Sequence, residues 1–171
     1  MWQTARIAGA GDMRTVDDED LRNLVSSRYP ELRRTAFLMC GDWSAADEVT
    51  QRALAQMVAD SRRGTVADPD AYVWSELMDL LIQRPGKREH VYVAAPDSDG
   101  GDPDTVLLLA ALHRLTPRCR AVLVLRRWVG LSVEETADIL DLDDDRIDSY
   151  EAAGMGALDL LLAVPDPAVA R

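Results

Sequence analysis

Carboxylates are the most abundant reactive side chains of this 171-residue chain, which contains 30 Asp and Glu residues. Their densest cluster comprises Asp141, Asp143, Asp144 and Asp145. Oxygen-rich clusters of this kind can hold Ca²⁺, but this one lacks the D-x-D-x-D-G spacing and the distal Glu of a calcium loop. The carboxylates are therefore interpreted as solvated helix faces, with no metal site.

The remaining metal-binding and nucleophilic side chains are few: Cys40, Cys119, His90 and His113. Their spacing matches no zinc-ligand pattern. Both cysteines fall in apolar helical settings typical of small buried residues, and a disulfide or redox switch between them is the alternative. The chain contains no phosphate-binding loop, dinucleotide fingerprint, zinc-protease helix or nucleophile elbow. We therefore expect neither enzymatic activity nor a cofactor.

The overall charge restricts the partners that the chain can have. Its formal net charge is −11, with 47% hydrophobic and 29% charged residues. This balance is typical of a soluble globular protein, and it argues against non-specific binding to nucleic acid or anionic membranes. No apolar run reaches the length of about 18 residues that a membrane span needs, and no signal-peptide core is evident. We expect a cytoplasmic protein.

The segment from Leu115 to Leu162 predicts three helices. Thr116 is a candidate N-cap and Pro117 a first helical residue, and Gly130 ends this helix. The run from Ala121 to Leu125 is too apolar for an exposed helix, so it is expected to be buried.

A second helix follows directly. Ser132 and Glu135 form a capping box at its start. Asp141 to Asp143 makes the next turn, and a third helix begins near Asp144. Two helices joined by such a turn have the layout of a helix-turn-helix.

The N-terminal half predicts three further helices. The first covers Asp17 to Met39, with a kink or break near Tyr29 because Pro30 interrupts the pattern. The second runs from Trp43 to about Ser61 after a cap at Asp42, and the third starts at Asp68-Pro69. A further helix over Thr105–Arg114 is expected to be capped by Asp104.

These elements predict an all-α chain of two small helical domains joined by a flexible linker. The expected division is a disordered leader over 1–16, a helical domain over 17–84, a linker over 85–104, a helix-turn-helix domain over 105–164 and a tail over 165–171.

The C-terminal segment carries a family resemblance in two strings, LTPRCRAVLVLR from Leu115 and LSVEETADIL from Leu131. Both resemble region 4 of sigma-70 family factors of the extracytoplasmic-function (ECF) type. The resemblance implies a bacterial transcription-initiation protein whose helix-turn-helix binds the −35 promoter element. In the family this region is carried into RNA polymerase.

A second resemblance covers Arg28 to Leu54, with the string RYPELRRTAFLMCGDWSAADEVTQRAL. It looks like regions 2.1 and 2.2 of the same family, where region 2.2 docks on the clamp helices of the largest polymerase subunit. By position, the resemblance assigns polymerase binding to Asp47, Glu48 and Gln51. A solvated helix face is the alternative interpretation. Arg52 stands where the family often has an acidic residue.

The segment from Asp68 to Arg84 resembles regions 2.3 and 2.4, where the family melts and reads the −10 element. The resemblance implies DNA contacts from Trp74, Arg84, Lys87 and Arg88, with packing as the alternative for Trp74. On the third helix of the C-terminal half, the family positions for DNA contact are occupied by Arg146, Ser149 and Tyr150.

Acidic side chains replace the expected basic ones at the DNA-reading helix. Six lie between Asp141 and Glu151, where only Arg146 is basic. Like charges facing each other at an interface cost several kcal/mol, whereas one good base contact gives about 1–3 kcal/mol of discrimination. Gly154 and Gly156 are expected to weaken this helix by about 1 kcal/mol each.

The sequence therefore favours a sigma-factor-like transcription regulator that works through RNA polymerase, an anti-sigma partner or both, with weak or lost autonomous promoter binding. One alternative is a functional ECF sigma factor that directs core polymerase to −10 and −35 elements. A second alternative is an acidic helical interaction module without polymerase contact.

Overall fold

The computed structural model describes residues 18–83 and 103–163. The leader, the tail and most of the expected linker lie outside these ranges. Within them the regular structure is entirely helical, which confirms the all-α class. The helices are α1 (Asp18–Cys40), α2 (Trp43–Arg62), α3 (Pro69–Ile82), α4 (Pro103–Arg114), α5 (Pro117–Leu123), α6 (Val133–Leu140) and α7 (Asp144–Ala163), with a π-helical segment over Val124–Val129 that continues α5.

Local capping fixes the starts of the helices as the sequence predicts. An Asp42 side-chain oxygen accepts a hydrogen bond from the Ala45 amide at 2.6 Å. The Asp68 carboxylate accepts from the amides of Asp70 and Ala71, and the Thr116 hydroxyl accepts from the Cys119 amide at 3.4 Å. Each contact satisfies an amide that has no partner within its own helix.

Local contacts and backbone conformation define both ends of α6 in the helix-turn-helix. Ser132 Oγ accepts from the Glu135 amide at 3.1 Å, while Glu135 Oε2 accepts from the Ser132 amide at 2.7 Å. Before it, Gly130 adopts φ +85, and after it, Asp141 adopts φ +50. Aspartate is among the few residues that tolerate this left-handed conformation, so the turn into α7 can be made without glycine.

Two expectations about helix boundaries need correction. The break expected as one of two outcomes near Tyr29 does not occur, because α1 continues through Pro30 to Cys40, and the other outcome, a kink, stays a prediction. Pro30 is exposed, and buried Leu21 and Leu32 anchor the helix on both sides of it, so packing offsets the lost hydrogen bond. Asp104 is not a cap either, because α4 already begins with Pro103 at its first helical position.

Ion pairs and phenol contacts tie the three N-terminal helices together. The Arg28 guanidinium grips the Asp70 carboxylate from α1 to α3 with two hydrogen bonds, of 2.7 and 2.6 Å. The Tyr72 hydroxyl donates to Asp60 across α3 and α2 at 2.7 Å. The first contact holds α3 against α1, and the second holds it against α2.

One hydrophobic core extends through both halves of the chain. The N-terminal half contributes the buried faces of α1, α2 and α3, including Leu32, Met57 and Trp74. The C-terminal half adds seven buried residues to the same cluster: Leu112, Leu115, Ala121, Leu123, Val124, Leu125 and Leu131. A smaller cluster of Val122, Ala137 and Ile147 lies inside the helix-turn-helix.

Two contacts join the end of α1 to the C-terminal half. Arg120 donates to the Met39 carbonyl and also to the carbonyls of Leu112, His113 and Leu115. This single guanidinium therefore meets the carboxyl ends of both α1 and α4. Gly41, at φ +73, approaches the His113 ring so closely that an added Cβ would lie 3.0 Å from it.

Candidate functional site

Helix α2 holds the three positions expected to meet polymerase. Glu48 and Gln51 are exposed. Asp47 faces α1 instead: one carboxylate oxygen accepts from the Tyr29 hydroxyl at 2.9 Å, and Arg33 contacts both oxygens. The structure therefore separates the trio into two outward side chains and one that joins α2 to α1.

Asp47 belongs to a compact cluster of rings and charges. Its hydrogen bond with Arg33, helped by the Tyr29 hydroxyl, lowers the pKa of the Asp47 carboxyl below its ordinary value. The same Arg33 guanidinium lies 4.5 Å from the centre of the Trp43 ring, which stacks on Phe37 at 4.1 Å. Asp47 is therefore a charged residue that connects α2 to α1, and its side chain is about one-third exposed.

Trp74 lies in the core, where its side chain is only 2% exposed. Its indole N–H has no hydrogen-bond acceptor among the described residues. As placed, this ring cannot stack on a base, so its burial fits the packing interpretation. Arg84, Lys87 and Arg88 lie outside the described residues.

The DNA-contact positions on α7 have different surroundings. Arg146 is exposed. The Ser149 hydroxyl donates to the Asp145 carbonyl at 2.8 Å, one turn earlier in the same helix. Tyr150 is half-buried against the small cluster inside the helix-turn-helix. Arg146 and Ser149 are therefore both exposed, and the Ser149 hydroxyl is already used within the helix.

Five of the six acidic residues counted from the sequence form an exposed surface, and we call these five the α7 aspartates: Asp141, Asp143, Asp144, Asp145 and Asp148. They lie on the turn before α7 and on its first turns. The surface has one exposed cation of its own, Arg146.

Glu151 is the exception, and its inclusion among the exposed acids is wrong. It is buried on the inner face of α7, 3.0 Å from Arg126 Nε and 2.8 Å from Arg127 Nε. Arg126 also donates to the Leu131 carbonyl, so it links the π-helical segment, the loop before α6 and α7. Glu151 thus fixes the angle of α7 and does not take part in charge repulsion at the surface.

Gly154 also has a role that helix propensity alone does not predict. It is buried, and a Cβ added there would lie 2.8 Å from Leu123 Cδ1. Gly156 faces open space. One glycine therefore permits close packing of α7 on α5, and only the other matches the expectation of a weakened helix.

In the part of the chain that the structure describes, no group of three or more His, Cys, Asp or Glu side chains could hold a metal ion. None of the helices placed in that part is long and apolar enough to cross a membrane.

Comparisons with known proteins agree with this architecture. The family model for sigma-70 region 4 matches residues 105–154. The chain is 30% identical over 141 residues to an RNA polymerase sigma-E factor of Streptomyces coelicolor, covering 76% of this chain and 78% of that protein. A sigma-E factor of Streptomyces antibioticus is 29% identical over 144 residues, covering 76% and 77%.

Two solved structures share the fold at 20% identity. One is the sigma factor RpoE of Bartonella quintana in complex with the anti-sigma factor NepR, with a TM-score of 0.67 over 86% of this chain and 99% of that chain. The other is the anti-anti-sigma factor PhyR of the same organism in complex with NepR, with a TM-score of 0.60 over 82% and 49%.

Proposed function

The chain belongs to the extracytoplasmic-function branch of the sigma-70 family, and we propose on this basis that it regulates transcription through a protein partner, with weak or no promoter binding of its own. The partner is core RNA polymerase, an anti-sigma protein or both. The observation that carries the proposal is the exposed surface of α7 aspartates at the helix that would enter the major groove.

Electrostatics supports the weak-binding part of the proposal. DNA affinity depends strongly on cations that neutralise phosphates, and the helix-turn-helix offers aspartates where such cations are needed. A carboxylate can accept from a cytosine amino group, but such a contact gives only about 1–3 kcal/mol of discrimination. Repulsion from five carboxylates outweighs one contact of this size, even with Arg146 on the same surface.

The outer face of α2 supports the polymerase part. Glu48 and Gln51 are exposed there, at positions that the family uses against the clamp helices. Because Asp47 is held by Tyr29 and Arg33, its contribution to binding is to fix α2 against α1. We therefore propose Glu48 and Gln51 as the contacting residues and Asp47 as a positioning residue.

An anti-sigma partner is supported by the fold. Two of the proteins that share it were solved in complexes with the anti-sigma factor NepR. The net charge of −11 and the α7 aspartates fit a partner with a basic surface.

A gel-shift experiment at ~0.1 M salt tests the weak-binding part, with a promoter duplex that carries −10 and −35 elements. We expect no sequence-specific retention of the duplex by the purified chain. A matched variant with Asp141, Asp143 and Asp145 changed to Asn should bind the duplex more tightly, because three phosphate-facing charges are removed. Nanomolar retention by the unchanged chain would contradict the proposal and favour a promoter-directing sigma factor.

The partner is tested by purification from the native cell. Co-purified core polymerase or an anti-sigma protein would support the proposal. Recovery of neither, with a different protein in their place, would favour an interaction module without polymerase contact.

A further inference from the structure

A cleft lies where the end of α3 meets the start of α5 and the turn before α7. It holds about 380 Å³ of space, part of it open to solvent, which is near the lower limit for small-molecule sites. Three polar and three apolar side chains line it: Asp79, Gln83, Arg118, Ile82, Leu140 and Leu142. Small-molecule sites commonly combine an apolar wall with a few polar groups, and this lining has that composition.

The apolar wall of the cleft is anchored in the interior of the protein. Ile82 packs against the main core cluster, and Leu140 and Leu142 pack against the small cluster inside the helix-turn-helix. The Leu142 amide donates to the Ala137 carbonyl at 3.0 Å, which fixes the turn that carries this leucine. All three side chains are half-buried, so they can offer apolar surface to a ligand without rearrangement.

Two opposite charges line the cleft without neutralising each other. Asp79 lies on the last turn of α3, and Arg118 is the second residue of α5. Both are exposed, and in the described part of the chain neither side chain forms a salt bridge or a hydrogen bond. By contrast, exposed Arg62 pairs with Asp18 at 3.1 Å. The cleft therefore offers one cation and one anion to a ligand.

From this arrangement we infer that the cleft binds a small zwitterion, an aliphatic amino acid whose carboxylate meets Arg118 and whose ammonium group meets Asp79. A guanidinium can bind a carboxylate through two parallel hydrogen bonds. The apolar wall covers the aliphatic body of the ligand, and the Gln83 amide supplies a neutral donor and acceptor one turn after Asp79. The cleft lies apart from the exposed faces of α2 and α7, so its ligand binding does not depend on the proposed function.

Titration of the full chain, followed by the NMR signals of its backbone amides, tests this site. The probes are L-leucine, which carries both charges on one carbon atom, and ε-aminocaproate, which carries them at the two ends of an aliphatic chain. We expect at least one probe to shift the amides of Gln83 and Leu142 saturably at up to ~10 mM, the range of a weak site. No saturable shift with either probe, or shifts confined to other parts of the chain, would overturn the site.

Variants that remove one charge test the roles of the two side chains. Arg118→Met and Asp79→Asn should each weaken binding of the zwitterion about tenfold, because each removes a charged partner from the ligand. Arg34→Met is the matched control, since Arg34 is exposed on α1 and does not line the cleft. Its affinity should equal that of the parent. Parental affinity in both cleft variants would contradict the assignment.

Probes with a single charge distinguish direct contact from a general disturbance of the cleft. Isocaproate is leucine without its ammonium group, and isoamylamine is leucine without its carboxylate. Asp79→Asn should not weaken the binding of isocaproate, and Arg118→Met should not weaken the binding of isoamylamine. If each variant weakened all probes alike, the two charges would not be direct contacts and the zwitterion site would be excluded.

Discussion

Gly154 of α7 lies against Leu123 of α5 so closely that a Cβ added to it would be 2.8 Å from Leu123 Cδ1 and 3.0 Å from Leu123 Cγ. This contact sets the distance between α7, which is the helix expected to read DNA, and α5, which contributes buried residues to the core. It also explains why a residue with poor helix propensity stands in the interior of a 20-residue helix.

We predict that Gly154→Ala destabilises the protein by about 1–3 kcal/mol, because overpacking outweighs the gain in helix propensity of up to about 1 kcal/mol. Gly156→Ala is the matched control, since nothing lies within 4 Å of its added Cβ. The control should be neutral or more stable than the parent. Urea unfolding of the three proteins measures the difference, and equal or greater stability of Gly154→Ala would contradict the close-packing role.

Arg120→Met should destabilise the chain by about 2–4 kcal/mol, because four backbone carbonyls lose a charged donor while the apolar stem is kept. Arg118→Met is the control, because Arg118 is exposed and its removal should change stability by less than about 0.5 kcal/mol. Chemical denaturation compares the two variants. Similar midpoints would show that the Arg120 contacts do not stabilise the fold.

The Tyr72–Asp60 contact predicts a loss of stability at both ends of the pH range. The Tyr72 hydroxyl lowers the pKa of Asp60, so this stabilisation is present above the ordinary value of about 3.9 and is lost as pH falls through the lower, folded-state pKa. The hydrogen bond to Asp60, together with burial, raises the pKa of Tyr72 to about 12. That stabilisation is complete below the unfolded pKa of about 10 and is lost as pH rises from there toward 12.

Tyr72→Phe should therefore flatten the pH dependence of stability in both windows. Thermal unfolding of the parent and the variant across the pH range measures the change. Tyr29→Phe is a suitable control, because it removes a phenol that binds Asp47 and leaves Asp60 untouched. If Tyr72→Phe loses thermal stability above about pH 10 as the parent does, the Tyr72 phenol does not cause that loss.

Separate variants should distinguish contact from positioning on α2. Glu48→Arg is expected to reduce capture by core polymerase at least tenfold with little change in stability, because the residue is exposed. Asp47→Asn should cost about 1 kcal/mol of stability, because Tyr29 and Arg33 lose a charged acceptor that is about one-third exposed. Pull-down and urea unfolding measure the two effects, and unchanged capture by Glu48→Arg would remove this residue from the polymerase surface.

Features set by neighbouring residues could be predicted from the sequence. The caps at Asp42, Asp68 and Thr116 and the capping box of Ser132 with Glu135 all depend on residues three or fewer positions apart. Their pattern is visible in the printed chain. The helix-turn-helix could be placed for the same reason, and the family model over residues 105–154 confirms its assignment.

Features that depend on distant partners could not be predicted. Arg120 finds the Met39 carbonyl 81 positions away. The sequence around Glu151 is that of an acidic surface helix. Glu151 nevertheless points inward, because it forms ion pairs with Arg126 and Arg127, which lie 25 and 24 positions earlier in the chain. Pro30 interrupts the local pattern of α1, yet packing on both sides keeps the helix continuous. In each case a tertiary contact outweighs the local preference.

The six-residue π-helical segment at Val124–Val129 ends directly at Gly130, which makes it a place where the chain could gain or lose one residue. Such segments arise where an extra residue bulges from an α-helix without disturbing the helix beyond it. A relative that lacks one residue here could keep Gly130 and the following helices in place, while Arg127 and Trp128 turn by about 100°. A one-residue gap at this point of an alignment would therefore mark a lost Arg127–Glu151 pair and a redirected Trp128, and would not mark a rotated helix-turn-helix.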